Sequence, residues 1–124
     1  MNTLILDAAL GTQLAVNGEE LPDWKKSLWS AHALINKPEA ILKIHLDNIE
    51  AGADVITTSN YYATPIILAK DSTKHDYKEL VKRALDLVQE SIKISGKNCQ
   101  IAGSFPPINV SFRPDLTGTQ SELE

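Results

Sequence analysis

The chain has 124 residues, of which 43% are hydrophobic and 23% are charged, which is the balance of one ordinary globular domain. Its formal net charge of -4 and its scattered Lys and Arg residues exclude the basic patch that nucleic-acid binding requires. A single cysteine, Cys99, excludes an internal disulfide and cannot build a zinc site alone, and it favours a reducing compartment.

The first predicted element is a short strand at residues 3–6, where the run TLIL is apolar throughout. An apolar strand that does not alternate is typical of a parallel strand covered on both faces, and this one ends at Asp7. Residues 13–26 are mixed in character and are predicted to form a loop, with one helical turn at its start. Asn36 is the predicted N-cap of the next helix, which has Pro38 in its first turn.

The rest of the chain is predicted to alternate helices and strands, at 38–51 (helix), 53–60 (strand), 66–72 (helical turn), 77–94 (helix) and 99–104 (strand). Apolar residues at spacings of three and four predict the two long helices, and Gly52 is placed to stop the first. Residues 109–124 are polar and are predicted to form a long loop. Alternating strands and helices imply a parallel sheet with right-handed crossovers. Three such strands alone leave apolar surface bare and two edges unpaired, so we expect the opening of a larger α/β fold and poor solubility or self-association in isolation.

Polar side chains follow the predicted strands at the points where they end. Asp7 follows the first strand, hydroxyl and amide residues at 57–60 close the second, and Ser104 closes the third. Because ligands of parallel α/β folds bind at the carboxyl ends of the strands, these groups are predicted to share one site. A carboxylate can bind an ammonium group and hydroxyls can bind a carboxylate, so the site suits a small polar ligand such as an amino acid.

Four segments in register resemble the homocysteine S-methyltransferase family, namely LDAALGT at 6–12, LWSA at 28–31, AGADVITTSNYYA at 51–63, and IAGS at 101–104 followed by Pro106. Each motif is weak by itself, but their order and spacing hold across nearly the whole chain. The resemblance implies that residues 1–124 are a partial domain, the N-terminal portion of a TIM (β/α)8 barrel with about three β/α units. The chain departs from the family pattern at Ala8, which replaces a glycine, and at residues 105–107.

The same resemblance implies methyl transfer to the thiol of homocysteine, which forms methionine. The donor in family members is S-methylmethionine, betaine or a methylated folate or cobalamin system, and a zinc ion bound by three cysteines holds the thiol as a thiolate. Those cysteines lie in the later part of the barrel and have no counterpart here. Matched by position, the implied binding residues are Asp7 at the amino-acid end of homocysteine, Thr58 in the pocket, and Tyr62, which matches an aromatic position near the donor side in betaine-using members. Asn60 is predicted to belong to the same site as their neighbour.

The expected partners are therefore homocysteine and a methyl donor, with no nucleic acid and no membrane. The chain starts without a basic leader or a small-residue cleavage site, and no apolar run approaches the length of a membrane span, so a cytoplasmic protein is expected. Either an oligomer or a missing C-terminal barrel portion is expected to complete the structure.

Two other functions stay open from the residues alone. A chain without the zinc cysteines suits a non-catalytic amino-acid-binding or assembly module, and Asp7 suits a different barrel enzyme in which it acts as an acid, a base or a carbonyl-binding group. Thr58 and Asn60 alternatively satisfy backbone groups at a strand end. Trp29 is predicted to be a packing anchor. His45 is predicted to be a core or interface histidine, because it lies on the apolar face of a helix with no metal-ligand partner nearby.

Overall fold

The computed structural model describes residues 3–23, 28–71 and 73–106, so the loop predicted at 109–124 lies outside the described residues. In chain order the elements are α1 (Leu10–Val16), a 3₁₀ helix (Trp29–His32), α2 (Ala33–Asn36), α3 (Pro38–Glu50), β1 (Val55–Thr57), α4 (Pro65–Asp71), α5 (Tyr77–Ser95) and β2 (Gln100–Ala102). Within these three stretches, no helix has the length and apolar character needed to cross a membrane.

The two long helices confirm the predicted ones to within one residue at each end. Helix α3 begins with Pro38, whose missing N–H is not needed in a first turn, and the chain leaves the helix through Gly52 at φ 104°. Helix α5 is capped by Asp76, whose carboxylate accepts from the backbone N–H of Lys78 at 3.2 Å. It ends at Gly96, which has the left-handed φ of 65° that glycine adopts without strain.

The N-cap predicted at Asn36 is wrong. Asn36 is the last residue of α2, and its side-chain amide contacts the ring of His32 at 3.0 Å. Lys37 occupies the cap position of α3 without a side-chain hydrogen bond. Because α2 continues through Asn36, only Lys37 has the extended φ, -143°, that a cap residue adopts.

The segment predicted as a loop from residue 13 instead contains most of helix α1. Leu14 of this helix is fully buried, and it belongs to the same core cluster as Leu28 and Leu34. Burial of this side chain stabilises a helix of only seven residues, which has too little local periodicity to be read from the sequence. The helical turn predicted at 66–72 is confirmed as α4.

The sheet is parallel, as predicted. Ile56 in β1 lies opposite Ile101 in β2, and the backbone N–H of Thr58 continues the pairing by donating to the carbonyl of Ala102 at 2.9 Å. Ile49 of α3 and Val88 of α5 pack with Ile56 in one buried cluster. Helices α3 and α5 therefore cover one face of the sheet and fix the position of its carboxyl end.

The first predicted strand is reduced to a single parallel bridge, between Leu6 and Val55. The carbonyl of Ile5 accepts from the backbone N–H groups of Asp54 at 2.8 Å and Val55 at 3.1 Å, so the segment runs beside β1. Leu4, Ile5 and Leu6 are between 56% and 62% exposed, so the predicted cover on both faces is wrong for the described chain. Among the described residues the segment has no neighbour on its outer edge, so it lacks the second ladder that a central strand has.

Candidate functional site

An open cleft of about 310 Å³ lies at the carboxyl ends of the strands. Asp7 and the residues that follow it form one wall, and Trp29 forms another. Thr58 and Ser59 contribute from the end of β1, and Ser104 contributes from the end of β2. The last side chains of each strand lie at this edge of the sheet, which is the edge at which parallel α/β folds bind ligands.

Asp7 is fixed in this cleft by the residue that ends β1. Its Oδ2 accepts from the backbone N–H of Thr57 at 2.9 Å, and its Oδ1 accepts from the Thr57 hydroxyl at 2.7 Å. Each carboxylate oxygen has two lone pairs, so both oxygens retain capacity for a further donor. The result is a half-buried carboxylate of fixed orientation, which suits an ammonium group entering from the cleft.

Thr58 and Asn60 form a network that joins the ends of the two strands. The hydroxyl of Thr58 donates to Oδ1 of Asn60 at 2.6 Å and accepts from the backbone N–H of Ser104 at 2.8 Å. The amide of Asn60 in turn donates to the carbonyl of Ser104 at 3.0 Å. Thr58 lines the cleft, whereas Asn60 lines a neighbouring apolar groove of about 420 Å³ beside Tyr77. Both side chains thus satisfy backbone groups at a strand end, the structural role that the sequence left open.

Tyr62 is placed behind the cleft rather than in its lining. Its side chain is 7% exposed and belongs to the main core cluster. Its ring packs edge-on against Trp29, with 5.5 Å between centroids, and lies 5.6 Å from Tyr61, which does line the cleft. Burial raises the pKa of the Tyr62 hydroxyl, and the neighbouring Tyr61 adds to that shift. Any effect of Tyr62 on a ligand in the described cleft therefore passes through residues that it contacts, Trp29 and Tyr61.

Trp29 is both the predicted packing anchor and a wall of the cleft, which the sequence did not indicate. It has a φ of 44°, the left-handed region that a large side chain rarely adopts. Its ring lies directly over Gly11, where an added Cβ would come within 2.5 Å of the ring carbon Cη2. Gly11 therefore allows the outer edge of the indole to lie close to α1 beside the cleft, an approach that a side chain at this position would block.

Replacing Gly11 with alanine should push the Trp29 ring out of position and destabilise the chain by about 2 kcal/mol, as overpacking of a close contact does. Thermal unfolding measures the loss, and near-ultraviolet circular dichroism reports the displaced indole. Gly103→Ala is the matched control, because a Cβ at Gly103 meets no atom within 4 Å. If the two variants were equally stable, the Trp29 ring would be able to move away from the added Cβ without a loss of stability.

His45 lies on α3 close enough to Asp7 for their charges to interact. Of the two predicted roles, core or interface, the structure shows the core role, since the residue is 2% exposed. Within the described residues neither ring nitrogen has a hydrogen-bond partner. Burial lowers the pKa of His45 to about 4, and the negative charge of Asp7 only partly opposes that shift. The imidazole is therefore neutral at pH 7.

The donor set that would hold a metal is not assembled in the described residues, which contain no group of three His, Cys, Asp or Glu side chains suitably arranged. Cys99 is the chain's one cysteine, and it precedes β2 at the amino end of the sheet. Its Sγ–H donates to the carbonyl of Ala53 at 3.4 Å. A centre of three thiolates thus does not fit the residues present, and Cys99 lies at the end of the strands opposite the cleft.

Comparison with known proteins identifies relatives along almost the whole sequence. The sequence profile described as homocysteine S-methyltransferase matches residues 4–124. Homocysteine S-methyltransferase 4 of Zea mays is 37% identical over 91 residues, which are 73% of this chain and 26% of that protein. The homocysteine S-methyltransferase of Escherichia coli (strain K12) is 37% identical over 89 residues, which are 71% of this chain and 28% of that protein. This chain thus spans about a quarter of the length of these curated relatives.

The structural comparison gives the same result. The crystal structure of the homocysteine methyltransferase MmuM from Escherichia coli, in its metallated form, matches with a TM-score of 0.72 and 33% sequence identity over 86% of this chain and 38% of that one. The α/β structure described above therefore resembles part of a homocysteine methyltransferase. With a profile match that covers nearly every residue and a similar structure at this identity, the chain belongs to the homocysteine S-methyltransferase family.

Proposed function

We propose that the chain supplies the amino-acid-binding part of an enzyme that transfers a methyl group to the thiol of homocysteine and forms methionine. The observation that carries the proposal is the cleft at the carboxyl ends of the strands, with the Asp7 carboxylate fixed in its wall by Thr57. Family membership supplies the reaction class, and the cleft supplies a binding site of suitable size and charge. The reaction forms a bond from the homocysteine sulfur to the methyl carbon, breaks the bond from that carbon to the donor, and releases the thiol proton.

We further propose that the described elements are the first β/α units of a TIM (β/α)8 barrel. The exposed apolar residues at the open edges of the sheet support this arrangement, since Leu4, Ile5 and Leu6 are more than half exposed on one side and Phe105 is 97% exposed on the other. In a closed barrel, further strands pair with both edges and cover such residues. The relatives are longer than this chain, since the 91 matched residues are only 26% of the Zea mays protein, and the additional length supplies enough residues for those strands.

Each of the four predicted binding residues has a definable role in this proposal. The Asp7 carboxylate accepts from the substrate ammonium group, and Thr58 lines the pocket. Asn60 positions Thr58 through their hydrogen bond of 2.6 Å. Tyr62 acts on the donor side by holding the Trp29 ring in place.

The zinc ion that the family resemblance implies is not accommodated by the residues described, as the isolated Cys99 shows. We therefore assign no step of the reaction to a metal in this chain, and we propose that its ligands belong to parts that the longer relatives contain. Binding and orientation of the amino-acid end depend on Asp7 and the strand ends alone. The chain's own contribution is thus testable without a metal.

The test is methyl transfer by the complete product of the gene that encodes this chain. Incubation with homocysteine and isotopically labelled S-methylmethionine or betaine should give labelled methionine by mass spectrometry. Calorimetry on the same preparation should show that homocysteine binds. A complete gene product that neither methylates nor binds homocysteine would refute the proposal.

A second candidate is an amino-acid-binding module without catalysis, which the isolated cysteine favours. It shares the Asp7 cleft but needs no metal. This candidate would be favoured over the enzyme if homocysteine or methionine binds but no labelled product forms with either donor, even after zinc is added.

A further inference from the structure

Three consecutive residues with hydroxyl groups, Thr57, Thr58 and Ser59, lie at the end of β1 and directly after it. Two of the three hydroxyls already have fixed partners. The Thr57 hydroxyl donates its proton to Asp7 at 2.7 Å. The Thr58 hydroxyl donates to Asn60 at 2.6 Å and also accepts from a backbone N–H. A hydroxyl has one proton to donate, so neither threonine can donate to a ligand without breaking its existing bond.

The third hydroxyl, that of Ser59, has no hydrogen-bond partner within the described residues. The side chain is only 5% exposed, so the hydroxyl has little contact with bulk solvent. Ser59 nevertheless belongs to the lining of the cleft that contains Asp7. A buried hydroxyl without a partner destabilises a fold, and such a group needs a specific explanation.

The charges around the cleft indicate which end of an amino acid the hydroxyl meets. The described lining of the cleft includes the carboxylate of Asp7 but no Lys or Arg side chain. Asp7 can accept from the ammonium group of an amino acid, but it repels the α-carboxylate. Within the described lining that carboxylate can be bound only by neutral donors, and the Ser59 hydroxyl has a proton that no described residue accepts.

We infer that Ser59 is a substrate-binding residue whose hydroxyl donates a hydrogen bond to the α-carboxylate of the amino-acid substrate. Rotation about the single χ1 bond selects among the three staggered positions of the hydroxyl, so the donor can turn to a ligand without movement of the backbone. Ser59 and Asp7 then bind the two charged groups of the amino acid from one cleft. This inference rests on the proposed function, because it takes homocysteine as the occupant.

The test compares two ligands on the complete gene product by titration calorimetry. One is homocysteine, and the other is homocysteamine, the same molecule without its carboxylate. Ser59→Ala should weaken homocysteine binding about tenfold and leave homocysteamine binding within about twofold. The variant should unfold at the same temperature as the wild type or a higher one, because an unpartnered buried hydroxyl has been removed.

Ser91→Ala is the matched control, since Ser91 is also a buried serine but its hydroxyl donates to the carbonyl of Val88 at 2.7 Å. It should leave both affinities unchanged, because Ser91 lies in α5 and is not part of the cleft lining. The inference is overturned if Ser59→Ala binds homocysteine as the wild type does, or if it loses both ligands equally. A wild type that binds neither ligand overturns the inference and the proposed function together, whereas normal homocysteine binding by Ser59→Ala removes the inference alone.

Discussion

Asp7→Asn is expected to weaken homocysteine binding about a hundredfold, which corresponds to about 2.7 kcal/mol. The substitution keeps the shape of the side chain but removes the charge that attracts the ammonium group, and it replaces one acceptor with a donor. The Thr57 backbone N–H and hydroxyl both point at this carboxylate, so one of them loses its acceptor as well. Titration calorimetry of the complete gene product with homocysteine measures the loss.

Asp54→Asn separates the loss of charge in the cleft from loss of a strand contact. The Asp54 carboxylate also ties two segments together, since its Oδ2 accepts from the backbone N–H of Ile5 at 2.9 Å. Asp54 is not part of the cleft lining, so its variant should lose stability without losing affinity. If Asp7→Asn keeps the affinity of the wild type, the ammonium group binds elsewhere and the assignment of Asp7 fails.

The chain should lose about 2–3 kcal/mol of stability between pH 7 and pH 4.5 through His45 alone. Burial holds the pKa of His45 at about 4 in the folded state, whereas the unfolded chain has the ordinary value of 6.5. Between these two values the unfolded state binds more protons than the folded state, so protonation favours unfolding. The stability is fully present above pH 6.5 and is lost progressively as the pH falls towards 4.

Urea unfolding at both pH values, on the wild type and on His45→Leu, isolates this effect. The variant has no imidazole to protonate, so its loss over the same pH range should be smaller by about 2–3 kcal/mol. At pH 7 it should be at least as stable as the wild type, because both ring nitrogens of His45 lack partners in the described residues. Parallel pH profiles for the two proteins would show that His45 is not protonated on unfolding.

The parts of the fold that could be predicted from the sequence are those with strong local signals. Helices α3 and α5 have long apolar stripes and glycines at their ends, and both were located to within a residue. Helix α1 could not be recognised, because burial of Leu14 in the distant core stabilises it. The strand at residues 3–6 was predicted from its apolar run, but pairing on both sides is a property of neighbours that the described chain does not contain.

The candidate site, like the fold, could be predicted only in part from the sequence. The position of Asp7 after an apolar strand was enough to place its carboxylate in a cleft with Thr58. The hydrogen bonds that engage Thr58 and leave Ser59 without a partner depend on where β2 ends, and no sequence pattern shows this. The same holds for Trp29, whose left-handed backbone and contact with Gly11 arise from packing between segments. Composition and spacing therefore predicted that the site lies at the carboxyl edge of the sheet. They did not predict which residues at that edge are free to bind a ligand and which make structural contacts.

The side-chain contacts that shape the cleft have a consequence for the order of folding. Asp7 and Thr57 are 50 positions apart in the chain, and Thr58 and Ser104 are 46 apart. Closing loops of this length costs entropy before any of these contacts forms, whereas the turns of α3 and α5 join near neighbours. The helices can therefore form early, and the binding edge is assembled only when successive β/α units meet.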